Sequence, residues 1–196
     1  MVVKCRKLTG MVTLVTIAAT LMVACQKVPW PHDGGGNNTG EIIYVQSNQP
    51  YNNQNSIIAY RNTGNGTLSL MSGSPFLTNG NGVGNPQQVL GPNDSDTEIR
   101  ITKDKKFLLA VNSGSNTIAV MQINADGSLT PVPGSPFNSG GETPVSLDIW
   151  DQYVFVVNKC HNPLTGTTTL PRYVTLKLAA DGKLSPVPDG TFTTYG

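Results

Sequence analysis

One phrase recurs along this chain, and its recurrence limits the folds open to it. It reads "MSGSPF" at 71–76, "PVPGSPF" at 131–137 and "PVPDGTF" at 186–192. The closing phenylalanines, Phe76, Phe137 and Phe192, are 61 and 55 residues apart. A second marker runs ahead of each phrase: "GNGTL" (64–68), "ADGSL" (125–129) and "ADGKL" (180–184). Its glycines, Gly66, Gly127 and Gly182, show the same separations of 61 and 55. Two markers that shift together define an internal repeat, and a period of about fifty to sixty residues is that of stacked supersecondary units. Asp126-Gly127 and Asp181-Gly182 read as tight hairpin turns, because glycine tolerates the positive φ such turns require.

The segments between the markers read as strands. "IIYVQSN" (42–48), "FLLAVN" (107–112) and "VFVVN" (154–158) are short aliphatic runs that each end at Asn. Their near-continuous apolarity predicts strands buried on both faces. The asparagine suits an exit turn, where its side chain can bond nearby backbone. A second strand follows in each unit: "SIIAYRN", "NTIAVMQIN" and "RYVTLKLAA". In the last, Val174, Leu176 and Leu178 alternate with Tyr173, Thr175 and Lys177, the period of a strand with unequal faces. The proline-bearing stretch after the turn belongs at a sheet edge, since proline cannot donate to a ladder. In the second and third units "TEIRITKD" (97–104) and "PVSLDIW" (144–150) add a strand in front. Each complete unit therefore holds four strands in meander order, the content of a β-propeller blade. The expected fold is all-β, a partial β-propeller of about three four-stranded blades: an incomplete blade over 41–80, then blades over 81–140 and 141–196. Composition agrees: 21 Gly, 14 Pro and only 13% charged residues fit a turn-rich β protein.

The order "PVSLDI…YVFVVN…YVTLKLAADGKLSPVPDGTF" resembles the lactonase-like seven-bladed β-propellers, the group related to 6-phosphogluconolactonase. It is also similar to the YVTN-type surface propellers. Here the repeated strand end stands as Tyr44-Val45, Ala110-Val111-Asn112 and Val156-Val157-Asn158. The resemblance covers residues 41–196 and rests on structural positions. It implies a propeller fold, and among its activities a sugar-lactone hydrolase. It carries no catalytic residue over to a position of this chain. Three blades fall below the usual four to eight, so the chain reads as the front part of a longer ring, with further blades or self-association expected to complete it.

The N-terminus carries an address. Lys4, Arg6 and Lys7 precede the uncharged apolar stretch "MVTLVTIAATLMVA" (11–24). That length suits a signal peptide better than a membrane span. "LMVAC" resembles a bacterial lipobox, with small Ala24 directly before Cys25. Residues 1–24 are the expected signal peptide and Cys25 the lipidation site. Residues 25–40 hold the anchor and a flexible Gly/Asn tether. The protein is then held to a membrane by its N-terminal lipid, in the bacterial cell envelope, periplasmic or at the cell surface. Gln26, where an Asp would favour inner-membrane retention in a Gram-negative cell, points to the outer membrane. An ordinary signal peptide that happens to contain a cysteine is the alternative. Without the leader, 10 basic residues face 12 acidic ones. No basic field remains to attract nucleic acid.

Chemistry is sparse. His32 beside Asp33 lies in the tether, and one imidazole with one carboxylate does not complete a metal site. Asp94, Asp96 and Glu98 alternate in "NDSDTE", but the glycine of a calcium loop is absent; they read as a solvated acidic loop. "GNGVGN" (80–85) has no helix behind it and reads as turn or linker rather than a phosphate cradle. No cofactor pattern emerges. Cys160 has no partner once Cys5 and Cys25 are accounted for, and is expected to be a buried thiol. One cluster remains: Lys159, His161 and Arg172 around the insertion "KCHNPLTGTTTLPR". It follows a buried strand and is expected at one rim of the propeller channel, where two cations and an imidazole could hold an anionic sugar or a protein ligand. A merely polar exposed loop is the competing reading. The expected function is a lipid-anchored, non-catalytic binding scaffold, with a lactone hydrolase as the alternative.

Overall fold

A computed structural model describes residues 40–64, 66–83, 98–159, 161–162 and 167–194, without the side chains of 161, 162, 167 and 168. Every regular element in these residues is a β-strand. The first sheet holds β1 (Ile42–Gln46), β2 (Ser56–Asn62), β3 (Leu68–Leu70) and β4 (Phe76–Leu77). The second holds β5 (Ile99–Ile101), β6 (Phe107–Asn112), β7 (Thr117–Ile123), β8 (Leu129–Pro131) and β9 (Phe137–Asn138). In the third, β10 (Pro144–Trp150), β11 (Tyr153–Asn158), β14 (Arg172–Leu178) and β15 (Leu184–Thr193) run in meander order. A small ribbon of β12 (His161–Asn162) and β13 (Thr167–Thr168) interrupts that meander. All pairings are antiparallel. The described residues thus form part of a β-propeller, as the repeat predicts.

The recurring "GSPF" has a local physical cause. Gly73 and Gly134 turn the chain at φ 82° and 90°, a region that favours glycine. The next residue is a serine whose side chain substitutes for a ladder partner. Ser74 Oγ accepts from the Ala59 N–H at 2.9 Å, and Ser135 Oγ accepts from the Val120 N–H at 2.9 Å. Pro75 and Pro136, each behind a cis bond, have no N–H to offer, so the edge strand breaks there. Phe76 and Phe137 then re-enter the sheet opposite Ile57 and Ile118. The third unit has Asp189-Gly190-Thr191 in place of Gly-Ser-Pro, and β15 runs on through 184–193 with one register shift opposite Val174/Leu176.

Register fixes which positions correspond. Ser56 pairs Leu77, Thr117 pairs Asn138 and Arg172 pairs Thr193, at one point of three sheets. Each sheet therefore has a leading face, toward the next sheet in sequence, and a trailing face. The leading face of sheet one meets the trailing face of sheet two in a core that includes Ile57, Leu108, Ala110 and Met121. The leading face of sheet two meets the trailing face of sheet three through Leu109, Val111, Ile118, Leu147, Val156 and Val174.

Among the described residues only sheet two has a sheet on each side, and burial follows. All six residues of β6 are buried. In contrast, β11 alternates, with Val154 and Val156 at 0% and 1% exposure against 47% for Phe155. β1 exposes Ile43 and Val45. Burial on both faces, expected for all three runs, holds for the middle one, because a strand's second face is buried only when a further sheet covers it. β14 follows its alternation, with Val174 and Leu176 buried and Tyr173 exposed.

The strand-end asparagines also sort differently. Asn112 and Asn158 close β6 and β11 and are fully buried. In sheet one the corresponding position is Ser47, whose backbone N–H bonds the Ser56 carbonyl at 2.9 Å. Asn48 falls one residue later, at φ 53°, and its carboxamide bonds Val83. Gly80 and Gly82 of "GNGVGN" serve close packing: a Cβ on Gly80 would collide with the Asn112 side chain, and one on Gly82 with Asn48. Gly141 stands to Asn158 as Gly80 stands to Asn112, with 2.6 Å from its hypothetical Cβ to Asn158 Cγ.

Candidate functional site

Pro144, Asn158, Arg172 and Thr193 form one row across sheet three, at the end where β11 hands over to β14. The cluster expected from the sequence falls at this end. Lys159 directly follows β11, and its backbone N–H bonds the Thr143 carbonyl at 2.9 Å. Arg172 opens β14, paired with Asn158. His161 lies in the small ribbon opposite Thr168, and its side chain is outside the described residues. The structure thus brings the backbones of all three to one end of one sheet.

What that end adds is a set of unsatisfied polar atoms. Among the described residues, buried side-chain atoms without a hydrogen-bond partner are Gln46 Oε1, Glu142 Oε2, Asn158 Oδ1, Thr169 Oγ1 and Arg172 Nε. Four of these five belong to this end of sheet three. Buried polar atoms are nearly always paired, and each unpaired one costs about 1–3 kcal/mol. Such atoms are ordinarily met by ordered water or by a ligand. The donor is the guanidinium of Arg172, which suits a carboxylate or phosphate. The acceptors, Glu142 and Asn158, suit hydroxyl groups. Glu142, Asn158 and Thr169 do not stand out in the sequence as site residues. The available signal is positional: Glu142 sits two residues ahead of β10, and Thr169 closes the insertion.

Elsewhere, sheets two and three enclose a cleft of about 1270 Å³ at their opposite end, lined in part by Lys103, Asp104, Lys106, Trp150 and Asp151. Its polar groups are largely engaged. Lys106 Nζ donates to the Ala180 carbonyl at 2.5 Å and sits 4.8 Å from the Phe107 ring centroid. Asp104 accepts from the Thr102 hydroxyl and the Lys106 N–H, and these bonds hold its carboxyl below the usual carboxylate range. The cleft is therefore chemically undemanding. Asp94, Asp96, Cys160, His32 and Cys25 lie outside the described residues. Among the described residues no group of three or more His, Cys, Asp and Glu could hold a metal ion.

Stacked four-stranded antiparallel sheets with a repeated turn and edge define a β-propeller. The description "Lactonase, 7-bladed beta-propeller" matches residues 37–166, and the chain belongs to that family. Solved structures agree on the fold. A protein from Lactobacillus plantarum is 21% identical with a TM-score of 0.51, covering 78% of this chain and 41% of its own. A Bacteroides fragilis protein provisionally assigned as a 6-phosphogluconolactonase is 15% identical with a TM-score of 0.55, covering 84% and 39%. A protein of unknown function from Desulfotomaculum acetoxidans is 15% identical with a TM-score of 0.52, covering 81% and 43%. At these identities the likeness shows the fold alone, and the chain spans about two fifths of the length of each structure. No curated protein matches the chain.

Proposed function

We propose that this chain is a lipid-tethered propeller of the cell envelope that acts by binding, and that the Arg172 end of sheet three holds a small anionic sugar. One observation carries the reading: Arg172 Nε is buried with no partner, beside Asn158 and Glu142 atoms in the same condition. A guanidinium N–H taken out of water without an acceptor is costly, and a bound carboxylate would offset that cost with a charge-assisted bond. Lys159 adds positive charge at the same end. Hydroxyl groups of the sugar would satisfy Asn158 Oδ1 and Glu142 Oε2.

Calorimetric titration of the protein with glucuronate, and with neutral glucose as control, tests this. Saturable binding of glucuronate that Arg172→Gln abolishes is the expected result. Equal binding of glucose, or no effect of the substitution, would sink the reading. The tether is supported by "LMVAC", with Cys25 the acylated residue. A fatty-acid analogue should label the wild type and not Cys25→Ser.

A second reading has one observation in its favour. Glu142 Oε2, buried and unpaired at the end that carries Arg172, belongs to a carboxylate of the kind that acid–base work on a lactone needs. Turnover of glucono-δ-lactone by the purified chain, lost in Glu142→Gln, would establish a hydrolase in place of a scaffold.

A further inference from the structure

The two joints between neighbouring sheets use the same positions differently. At the joint of sheets one and two, Asn112 Oδ1 accepts from the Asn55 amide at 2.8 Å and lies 2.7 Å from the Thr78 hydroxyl. Register and backbone bonding place Asn116, Ser139 and Asn158 at these three positions of the next joint: Ser139 N–H bonds the Asn116 carbonyl as Thr78 N–H bonds that of Asn55, and Asn158 packs on Gly141 as Asn112 packs on Gly80. Here both counterparts are turned aside. Asn116 Oδ1 accepts from the Thr143 N–H at 2.8 Å, and the Ser139 hydroxyl donates to the Gly141 carbonyl at 3.0 Å. Asn158 Oδ1 stays buried without a partner. The open acceptor lies between sheets two and three, against the connection that joins them.

Orientation fixes the chemistry of what can fill that position. Asn158 Nδ2 donates to the Ser139 carbonyl at 3.4 Å, and only the nitrogen of a carboxamide can do so. The unpartnered atom is therefore the oxygen, and whatever meets it must be a donor. A carboxylate does not fit there, and a hydroxyl does. Asn158 is 0% exposed. A hydroxyl reaches it only when the joint parts, and the bond forms as the joint closes.

Resting on the reading that the Arg172 end binds a small anionic sugar, we propose that the joint between sheets two and three closes on that ligand. A sugar hydroxyl supplies to Asn158 Oδ1 the bond that the Asn55 amide supplies to Asn112 Oδ1. Arg172 takes the carboxylate on sheet three, and Glu142 of the connection takes a second hydroxyl, so the ligand ties sheet three to the segment that leads into it. A ligand that completes its bonds only in the closed form shifts the joint toward that form. The first joint needs no such help, because its acceptor is met by the chain's own donor. Local opening of sheet three is the quantity the ligand changes.

Amide exchange of the full chain, with and without saturating glucuronate, tests this. Glucuronate should slow the amides of β10 and β11 by about tenfold, the worth of one hydrogen bond, and leave those of β1 and β2 unchanged. Asn158→Ala should still bind glucuronate through Arg172, about tenfold more weakly. At saturation its β10 and β11 amides should exchange as they do without ligand. In the absence of any sugar, Asn158→Ala should lower the urea midpoint less than Asn112→Ala does, because it strands no buried donor. Should Asn158→Ala fail to fold, Ser139→Thr carries the same comparison, since it sets a hydroxyl against Asn158 Oδ1 as Thr78 sets one against Asn112. A wild type that takes up no glucuronate would overturn the sugar reading and the closing joint with it. Glucuronate that binds but slows all three sheets alike would overturn the closing joint alone. So would slowing of β10 and β11 that survives in Asn158→Ala, or a midpoint lowered as far by Asn158→Ala as by Asn112→Ala.

Discussion

Thr78 Oγ1 lies 2.7 Å from Asn112 Oδ1, and the Asn55 amide donates to the same oxygen at 2.8 Å. The two donors belong to sheet one and the acceptor to sheet two, so one buried carboxamide fastens two sheets. Asn112→Ala would leave both donors without that acceptor. The Thr78 hydroxyl, with one proton, still has the Asn55 carbonyl, so the loss falls on the Asn55 amide and costs about 1–3 kcal/mol. Urea unfolding should show a lowered midpoint with an unchanged slope. Asn48→Ala, one residue past the corresponding position in sheet one, should cost less.

Two hairpin glycines separate backbone strain from crowding. Gly66 and Gly182 have φ of 83° and 86°. A Cβ on Gly66 meets nothing within 4 Å, whereas one on Gly182 would lie 2.8 Å from both Phe107 Cε1 and Val132 Cγ1. Gly66→Ala carries only the left-handed backbone penalty, about 1–2 kcal/mol. Gly182→Ala adds overpacking of about 1–3 kcal/mol. Thermal melts of the two variants should rank Gly182→Ala clearly lower.

Ser135→Ala tests why the recurring phrase contains serine. The Val120 N–H would lose its only acceptor in a strand whose centre is buried. Destabilisation of about 1–3 kcal/mol is expected, and Ser135→Thr, which keeps the oxygen, should recover much of it. Indifference of stability to Ser135→Ala would mean that the serine oxygen is not a ladder substitute.

Alkaline pH should loosen the joint between sheets one and two. The Tyr44 hydroxyl donates to the Gly127 carbonyl at 2.7 Å. Burial raises its pKa, the nearby Asp126 charge adds to the rise, and Arg61 opposes it. A folded-state pKa above the unfolded value favours the neutral phenol in the folded protein. The stabilisation is fully present below the unfolded value near 10 and is lost as pH rises through the folded one. Melting temperature against pH should therefore fall less steeply in Tyr44→Phe than in the wild type over that range.

Much of the fold was legible because the repeat is written in turn chemistry. Gly127, Gly182 and the Ser-Pro-Phe closure are local requirements, and local requirements leave local signatures. Strand burial was misjudged for β1 and β11 because a run such as "VFVVN" states what a strand can bury, while the neighbouring sheet decides what it does bury. The asparagine of "IIYVQSN" was misplaced by one residue, since Asn48 and Ser47 are both plausible exits in sequence and only pairing with Ser56 separates them. At the candidate site Lys159, His161 and Arg172 were visible by type. Glu142, Asn158 and Thr169 were not, because an unsatisfied atom is a property of three-dimensional packing that no single position records.

The turn of each later sheet reaches back to the sheet before it. Gly127 sits against Ile42, and Gly182 against Phe107. The chain is thereby coupled as a line of nearest neighbours, in which each unit's order depends on the unit beside it and hardly on the one beyond. Among the described residues sheet two alone is held from both directions, and opening it requires breaking both couplings at once. Amide exchange should accordingly form a gradient, slowest in the backbone of β6 and faster toward β1 and β15. That hierarchy of protection belongs to position in the line and not to any difference in the three repeats themselves.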